Sequence, residues 1–124
     1  MNKEATTLNS LIETIKEFPD VLAIILFGSY ATGKMKGISD VDIAVILERQ
    51  SKDLEADIGS MYSPLFDVVL FHRLPLHIQF EVLKTGKVLF CKDERKLFEI
   101  RFKVLHEYLE MSNTYERIKR MVLK

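Results

Sequence analysis

Residues 21–29 read Val-Leu-Ala-Ile-Ile-Leu-Phe-Gly-Ser, and after ten further residues the chain reads Asp40-Val41-Asp42-Ile43. Seven consecutive apolar residues rich in branched side chains are short for a helix and suit a strand buried on both faces. Gly28-Ser29 ends that strand abruptly. The segment from 28 to 39 holds Gly28, Gly33 and Gly37 with Ser29, Thr32 and Ser39, the composition of a loop. Val41–Leu47 resumes as a second strand. A glycine directly after a buried strand lets backbone N–H groups approach a ligand closely. If Ser29 opens a short helix, its N–H and hydroxyl face the place where a phosphate binds.

Asp40 and Asp42 stand two apart at the start of a strand, so their side chains share a face with Cα atoms about 6.6 Å apart. Two carboxylates near 6 Å repel by roughly 2–3 kcal/mol at an effective dielectric of about 20. A strand gains nothing from that repulsion unless a cation lies between them. A few hard oxygen ligands favour Mg²⁺ or Mn²⁺, which keep waters and take further ligands from a phosphate chain. Asp67 is the single acid in the apolar run Phe66–Phe71, near the start of a third strand that can lie beside the second. A third carboxylate there completes a metal site or takes the proton from an attacking hydroxyl. Taken singly, each feature is ordinary: a Gly-Ser turn, a Ser-Asp cap, one satisfied polar group. Together they point to a phosphate-plus-metal site, with Gly28 and Ser29 at the phosphates and Asp40, Asp42 and Asp67 at the ion.

Around this centre the pattern alternates helix and strand. Leu8, Leu11, Ile12 and Ile15 place a first helix over about residues 4–17, stopped by Pro19. Helical spacing of Leu54, Ile58 and Met61 predicts a second over Lys52–Tyr62. Pro75 opens a third, which Gly86 ends; Val88–Cys91 is a short edge strand. From Asp93 the pattern is helical almost to the end, with a break expected near Ser112-Asn113 and a last short helix over Thr114–Leu123. Two apolar stripes run along it, Leu97, Ile100, Val104, Tyr108 and Met111, then Phe98, Phe102, Leu105 and Leu109. Together they are wider than a surface helix needs. Either the helix is wedged deeply among other elements, or one stripe is left for another chain.

The 124 residues carry 18 basic and 18 acidic side chains and 48% apolar residues. That length predicts a single domain over 1–124, and the order of helices and strands an α/β (α+β) layer fold with a small sheet. A net charge of zero argues against direct nucleic-acid binding. One cysteine, Cys91, excludes an internal disulfide and a cysteine zinc cage; His72, His77 and His106 lack zinc-ligand spacing. The longest apolar run, Val21–Phe27, is far short of a membrane span of about 20 residues. It is preceded by Glu17 and Asp20 instead of a basic region. A soluble, cytoplasmic protein without membrane contact is the expectation.

Gly28-Ser29, ten residues, then Asp40-Val41-Asp42 resembles the signature of the DNA polymerase β-like nucleotidyltransferase superfamily. The tail from Glu94-Arg95-Lys96-Leu97-Phe98-Glu99 through Tyr108 resembles the minimal nucleotidyltransferases of the MNT or MntA type. That resemblance implies a polymerase β-like fold, a small mixed sheet flanked by helices, with a long C-terminal helix. It implies transfer of a nucleoside monophosphate, AMP from ATP, with release of pyrophosphate. Gly28 and Ser29 would then hold the triphosphate, and Asp40, Asp42 and Asp67 the metals. It further implies a HEPN-domain RNase toxin as partner, with AMP attached to a toxin tyrosine and this chain acting as antitoxin. Many members read Gly-Ser-aromatic-Ala-Arg-Gly, whereas Thr32 stands here in the arginine's place. The positive contact then falls to Lys34 or Lys36 or is absent. That departure motivates a second reading, a non-catalytic antitoxin that neutralises its toxin by occluding a surface.

Overall fold

The computed structural model describes residues 3–28, 41–59 and 66–122. Helix α1 (Lys3–Lys16) leads into β1 (Val21–Phe27), followed by β2 (Val41–Leu47), α2 (Lys52–Gly59) and β3 (Phe66–Leu70). A 3₁₀ turn (Phe71–Arg73), α3 (Leu76–Thr85), β4 (Lys87–Cys91) and α4 (Glu94–Val122) complete the order. The four strands form one mixed sheet in the order β3-β2-β1-β4. β1 pairs antiparallel with β2 and with β4, while β2 pairs parallel with β3.

The apolar run of β1 finds cover on both faces because β1 is central. Alternate side chains go to opposite sides of a pleated strand. Ile24 and Leu26 therefore join Ile43, Val45 and Phe66 beneath Ile15 of α1 and Leu54 and Ile58 of α2. Ala23 and Ile25 join Ala44 and Ile46 beneath Val82 of α3 and Leu97 and Val104 of α4. Helices thus cover both faces of the sheet. No described helix is long and apolar enough to cross a membrane.

Two boundaries differ from the sequence expectation, those of β3 and of the last helix, and a third, the end of α2, is not covered by the described residues. β3 stops at Leu70, because Phe71 turns into the 3₁₀ segment, where Leu74 N–H donates to the Phe71 carbonyl at 3.1 Å. Leu74 must be extended before Pro75, and it is, at φ −78°, ψ 145°. Helix α2 is described to Gly59, and 60–62 lie outside the described residues. The break expected at Ser112-Asn113 is absent, since α4 runs unbroken from Glu94 to Val122. Ser and Asn cost only a few tenths of a kcal/mol each in a helix interior, and neither Gly nor Pro follows Asp93. The Asp93 carboxylate caps the helix start, accepting from the N–H groups of Arg95 (3.0 Å) and Lys96 (3.3 Å).

Gly86 ends α3 as expected, but for space and not for a left-handed turn. Its N–H donates to the Val82 carbonyl at 2.8 Å. A Cβ there would stand 2.2 Å from that carbonyl oxygen and 2.5 Å from Ile25 Cγ2. No side chain fits.

Candidate active site

The C-terminal end of β1 and the N-terminal ends of β2 and β3 meet at one rim of the sheet. Phe27 is paired with Asp42 across the antiparallel ladder, and Asp42 is paired with Asp67 across the parallel one. Register partners in neighbouring strands point to the same face, with backbones about 4.8 Å apart. Asp42 and Asp67 thus stand side by side, Asp42 half-buried and Asp67 exposed. At about 5 Å and an effective dielectric of about 20, two carboxylates repel by roughly 3 kcal/mol. Nothing in the packing of this sheet requires acids at these two positions, because the next residues on that face, Ala44 and Val69, join the apolar cluster.

Gly28 completes the described part of the rim. Its backbone lies in the left-handed region at φ +85°, which disfavours any other L-residue. A Cβ on it would fall 2.7 Å from Asp42 Oδ2. The bare Cα of Gly28 is therefore the wall against which the Asp42 carboxylate rests. A carboxylate pair beside an open backbone bend is a donor set for a hard divalent ion carrying a phosphate chain. The residues present fit such an ion. Ser29 and Asp40 lie outside the described residues, as do Thr32, Lys34 and Lys36. Among the described residues no three His, Cys, Asp or Glu side chains converge as metal ligands. The geometry on view thus brings together Gly28, Asp42 and Asp67.

Other polar clusters lie elsewhere and hold elements together. Glu55 of α2 accepts from His72 Nε2 at 2.8 Å and from Arg73 Nε at 2.9 Å. These bonds, His72 first, hold the Glu55 carboxyl below its ordinary pKa. Glu48 pairs with Lys92 at 3.7 Å and Lys96 at 3.3 Å, joining the end of β2 to the start of α4. Burial pushes the Cys91 thiol up from its ordinary pKa.

This fold and rim define a class. Residues 9–95 match the family model for Polymerase beta, Nucleotidyltransferase, and the chain belongs to that family of nucleotidyltransferase enzymes. A Methanocaldococcus jannaschii protein named as an inferred protein adenylyltransferase is 36% identical over 85 residues, 67% of this chain and 66% of that relative. The chain thus spans just under two thirds of that relative's length. A chain of a toxin–antitoxin crystal structure with AMP-PNP has the same fold, with a TM-score of 0.70 and 24% identity over 94% of this chain and 98% of its own. So does a chain from the structure of a tri-AMPylated Shewanella oneidensis HEPN toxin in complex with MNT antitoxin. Its TM-score is 0.64 and its identity 20%, over 96% of this chain and 95% of its own. The small mixed-sheet nucleotidyltransferase fold that the resemblance implies is the fold observed.

Proposed function

We propose that this chain transfers AMP from ATP to a hydroxyl of a second protein, a tyrosine of a helical HEPN RNase toxin, and acts as a cytoplasmic antitoxin. One observation carries the reading. Asp42 and Asp67 are register partners at the rim where the bare Gly28 Cα meets the Asp42 carboxylate. The inferred activity of the M. jannaschii relative and the tri-AMPylated toxin in the Shewanella complex supply the acceptor class. The AMP-PNP complex supplies the donor class.

In this reading Asp42 and Asp67, with Asp40, hold Mg²⁺ or Mn²⁺, and Gly28 and Ser29 receive the triphosphate. The ion, when bound, neutralises charge that develops on the phosphates. The acceptor oxygen forms a bond to the α-phosphorus, the bond from that phosphorus to the bridging oxygen breaks, and pyrophosphate leaves. In the same reading Asp67, exposed at the rim, takes the proton of the attacking hydroxyl. The left-handed bend at Gly28 keeps side-chain bulk away from the phosphate path and fixes the Asp42 carboxylate.

The test incubates the protein with ATP, Mg²⁺ and the helical protein encoded beside it, then weighs that protein. A gain of one or more AMP groups that Asp42→Asn abolishes supports the reading. No gain, or an equal gain with Asp42→Asn, overturns it. The second reading, neutralisation by occlusion, draws on the exposed Phe98 and Phe102 of α4. It requires that an Asp42→Ala/Asp67→Ala double variant still silence the toxin at equal abundance.

A further inference from the structure

Helices α3 and α4 are joined by a ring stack, Phe80 on Tyr108, with centroids 4.1 Å apart and planes 4° from parallel. Beside this stack the helices leave an open cleft of about 160 Å³. Phe80, Leu83 and Lys84 of α3 form one wall, and Arg101, Val104 and Leu105 of α4 the other. The lining is apolar except for the two cations. Lys84 Nζ lies over the Phe80 ring, 5.8 Å from its centroid. At 100° per residue Arg101 falls between Tyr108 and Leu105, inside the apolar arc of α4 instead of on its polar side. Its neighbours at helical-pair spacing are Leu97, Phe98, Val104 and Leu105. Among the described residues no carboxylate lies within ion-pair distance of Lys84 or Arg101, whereas Lys16, Arg73, Lys92 and Lys96 each have one. A long basic side chain laid over apolar surface is ordinary when it stands alone, and Lys84 in the last turn of α3 suits the helix dipole. Neither effect accounts for two cations on opposite walls of one apolar cleft with no acid between them.

We infer that this cleft receives one apolar side chain of a partner protein, of leucine or phenylalanine size, flanked by carboxylates that pair with Lys84 and Arg101. The volume sets the scale of the occupant. A cavity of about 150 Å³ holds one benzene ring, whereas a site for a whole small ligand takes about 300–1,000 Å³. One anchoring side chain seated in a pocket, with polar contacts at its edge, is the usual centre of a protein interface. The two cations supply the charge selection, favouring an acidic surface and rejecting a basic one. A nucleic-acid strand fits less well, since it needs a run of cations along its backbone and the cleft has two beside an apolar floor. The partner is the acceptor protein of the proposed transfer, and to that extent the inference rests on that reading. Position supports it. Asp42 shares a sheet face with Ala44, and Asp67 with Val69, and Ala44 and Val69 belong to the cluster packed under α3 and α4. A protein anchored between these helices is thus on the same side of the sheet as the candidate catalytic acids, while none of Gly28, Asp42 and Asp67 lines the cleft.

The test measures binding of the helical protein encoded beside this chain, by titration calorimetry without ATP. Asp42→Asn should bind as the wild type does. Lys84→Glu/Arg101→Glu should bind at least about a hundredfold more weakly, with unchanged helical circular dichroism. Lys16→Glu/Lys52→Glu makes the same change in net charge on α1 and α2, which cover the other face of the sheet, and should stay within about threefold of wild type. Benzoylphenylalanine in place of Leu105 should photo-crosslink to a segment of the partner that carries an apolar residue with an acid within one helical turn. Equal losses in the two charge-reversed pairs overturn the inference, as do no loss in either, a crosslink to a segment without acids, or no binding by the wild type. An RNA oligonucleotide that binds through Lys84 and Arg101 while the protein ignores them assigns the cleft to nucleic acid and equally overturns it. Binding through the cleft without AMP transfer removes the enzymatic reading alone. Transfer with an acceptor KM unmoved by Lys84→Glu/Arg101→Glu removes the docking site alone.

Discussion

Replacing Gly28 with Ala perturbs the rim in two separable ways. The backbone sits at φ +85°, where an L-residue costs roughly 1–2 kcal/mol. The new methyl also falls 2.7 Å from Asp42 Oδ2, while the carboxyl carbon and Cβ of Asp42 are 3.6 and 3.7 Å away. The close atom is the tip of a side chain that can swing aside. The clash is thus relieved by displacing the carboxylate, at small cost in stability. Urea unfolding followed by circular dichroism should show a loss of about 1–2 kcal/mol, at least half of it retained in an Asp42→Ala background, because the backbone strain remains. The displaced carboxylate should matter far more to chemistry, since a shift near 1 Å at a reacting centre costs about 10²-fold. AMP transfer by Gly28→Ala should therefore fall at least tenfold, well beyond what the lost stability explains, at a temperature where the variant is fully folded. A Gly28→Ala protein with wild-type stability, or with wild-type transfer, refutes the reasoning.

Two further perturbations test the packing and the charge clusters. Glu55 is held ionised by His72 and Arg73, so its contribution is complete above its unfolded pKa of about 4.3 and is lost as pH falls from there through the depressed native value. Glu55→Gln should flatten the acid limb of the stability curve from about pH 5 downward, and superimposable acid limbs would exclude this role. On α4, Leu97→Ala should cost about 2–5 kcal/mol because the side chain is fully enclosed. The adjacent Phe98→Ala, 64% exposed, should stay within about 0.5 kcal/mol in dilute protein. Equal losses at both positions, measured by urea unfolding, would show that the two faces of α4 are misassigned.

Much of this was readable in advance, for identifiable reasons. An unbroken apolar run such as Val21–Leu26 has one stable home, a central strand with cover on both faces, and it occupies it. Asp67 was legible because one acid in Phe66–Phe71 has no packing reason to be there. Its pairing with Asp42 needed the parallel register of β2 and β3, which local sequence does not encode. Where local signals are weak, structure and sequence pattern part. Phe71 is as apolar as any strand residue, yet its carbonyl accepts from Leu74 N–H and from Gln79 Nε2, which closes a 3₁₀ turn that apolar patterning does not announce. Ser112 and Asn113 look like a cap, but no Gly or Pro enforces one, and α4 continues. The two stripes of α4 could not be ranked from spacing alone, since Leu97 and Phe98 are equally apolar and only the placement of β1 and α3 decides which is covered.

The proposed reaction requires Asp42 and Asp67 to bind a divalent ion jointly beside the Gly28 bend. Titrating Mn²⁺ against the protein with a non-hydrolysable ATP analogue, and following the spectrum of the free ion by electron paramagnetic resonance, reads that binding directly. Wild-type protein should remove free Mn²⁺ saturably beyond what the analogue removes alone, and Asp42→Asn and Asp67→Asn should each weaken this at least about tenfold. Retention of full Mn²⁺ binding in both variants would contradict it.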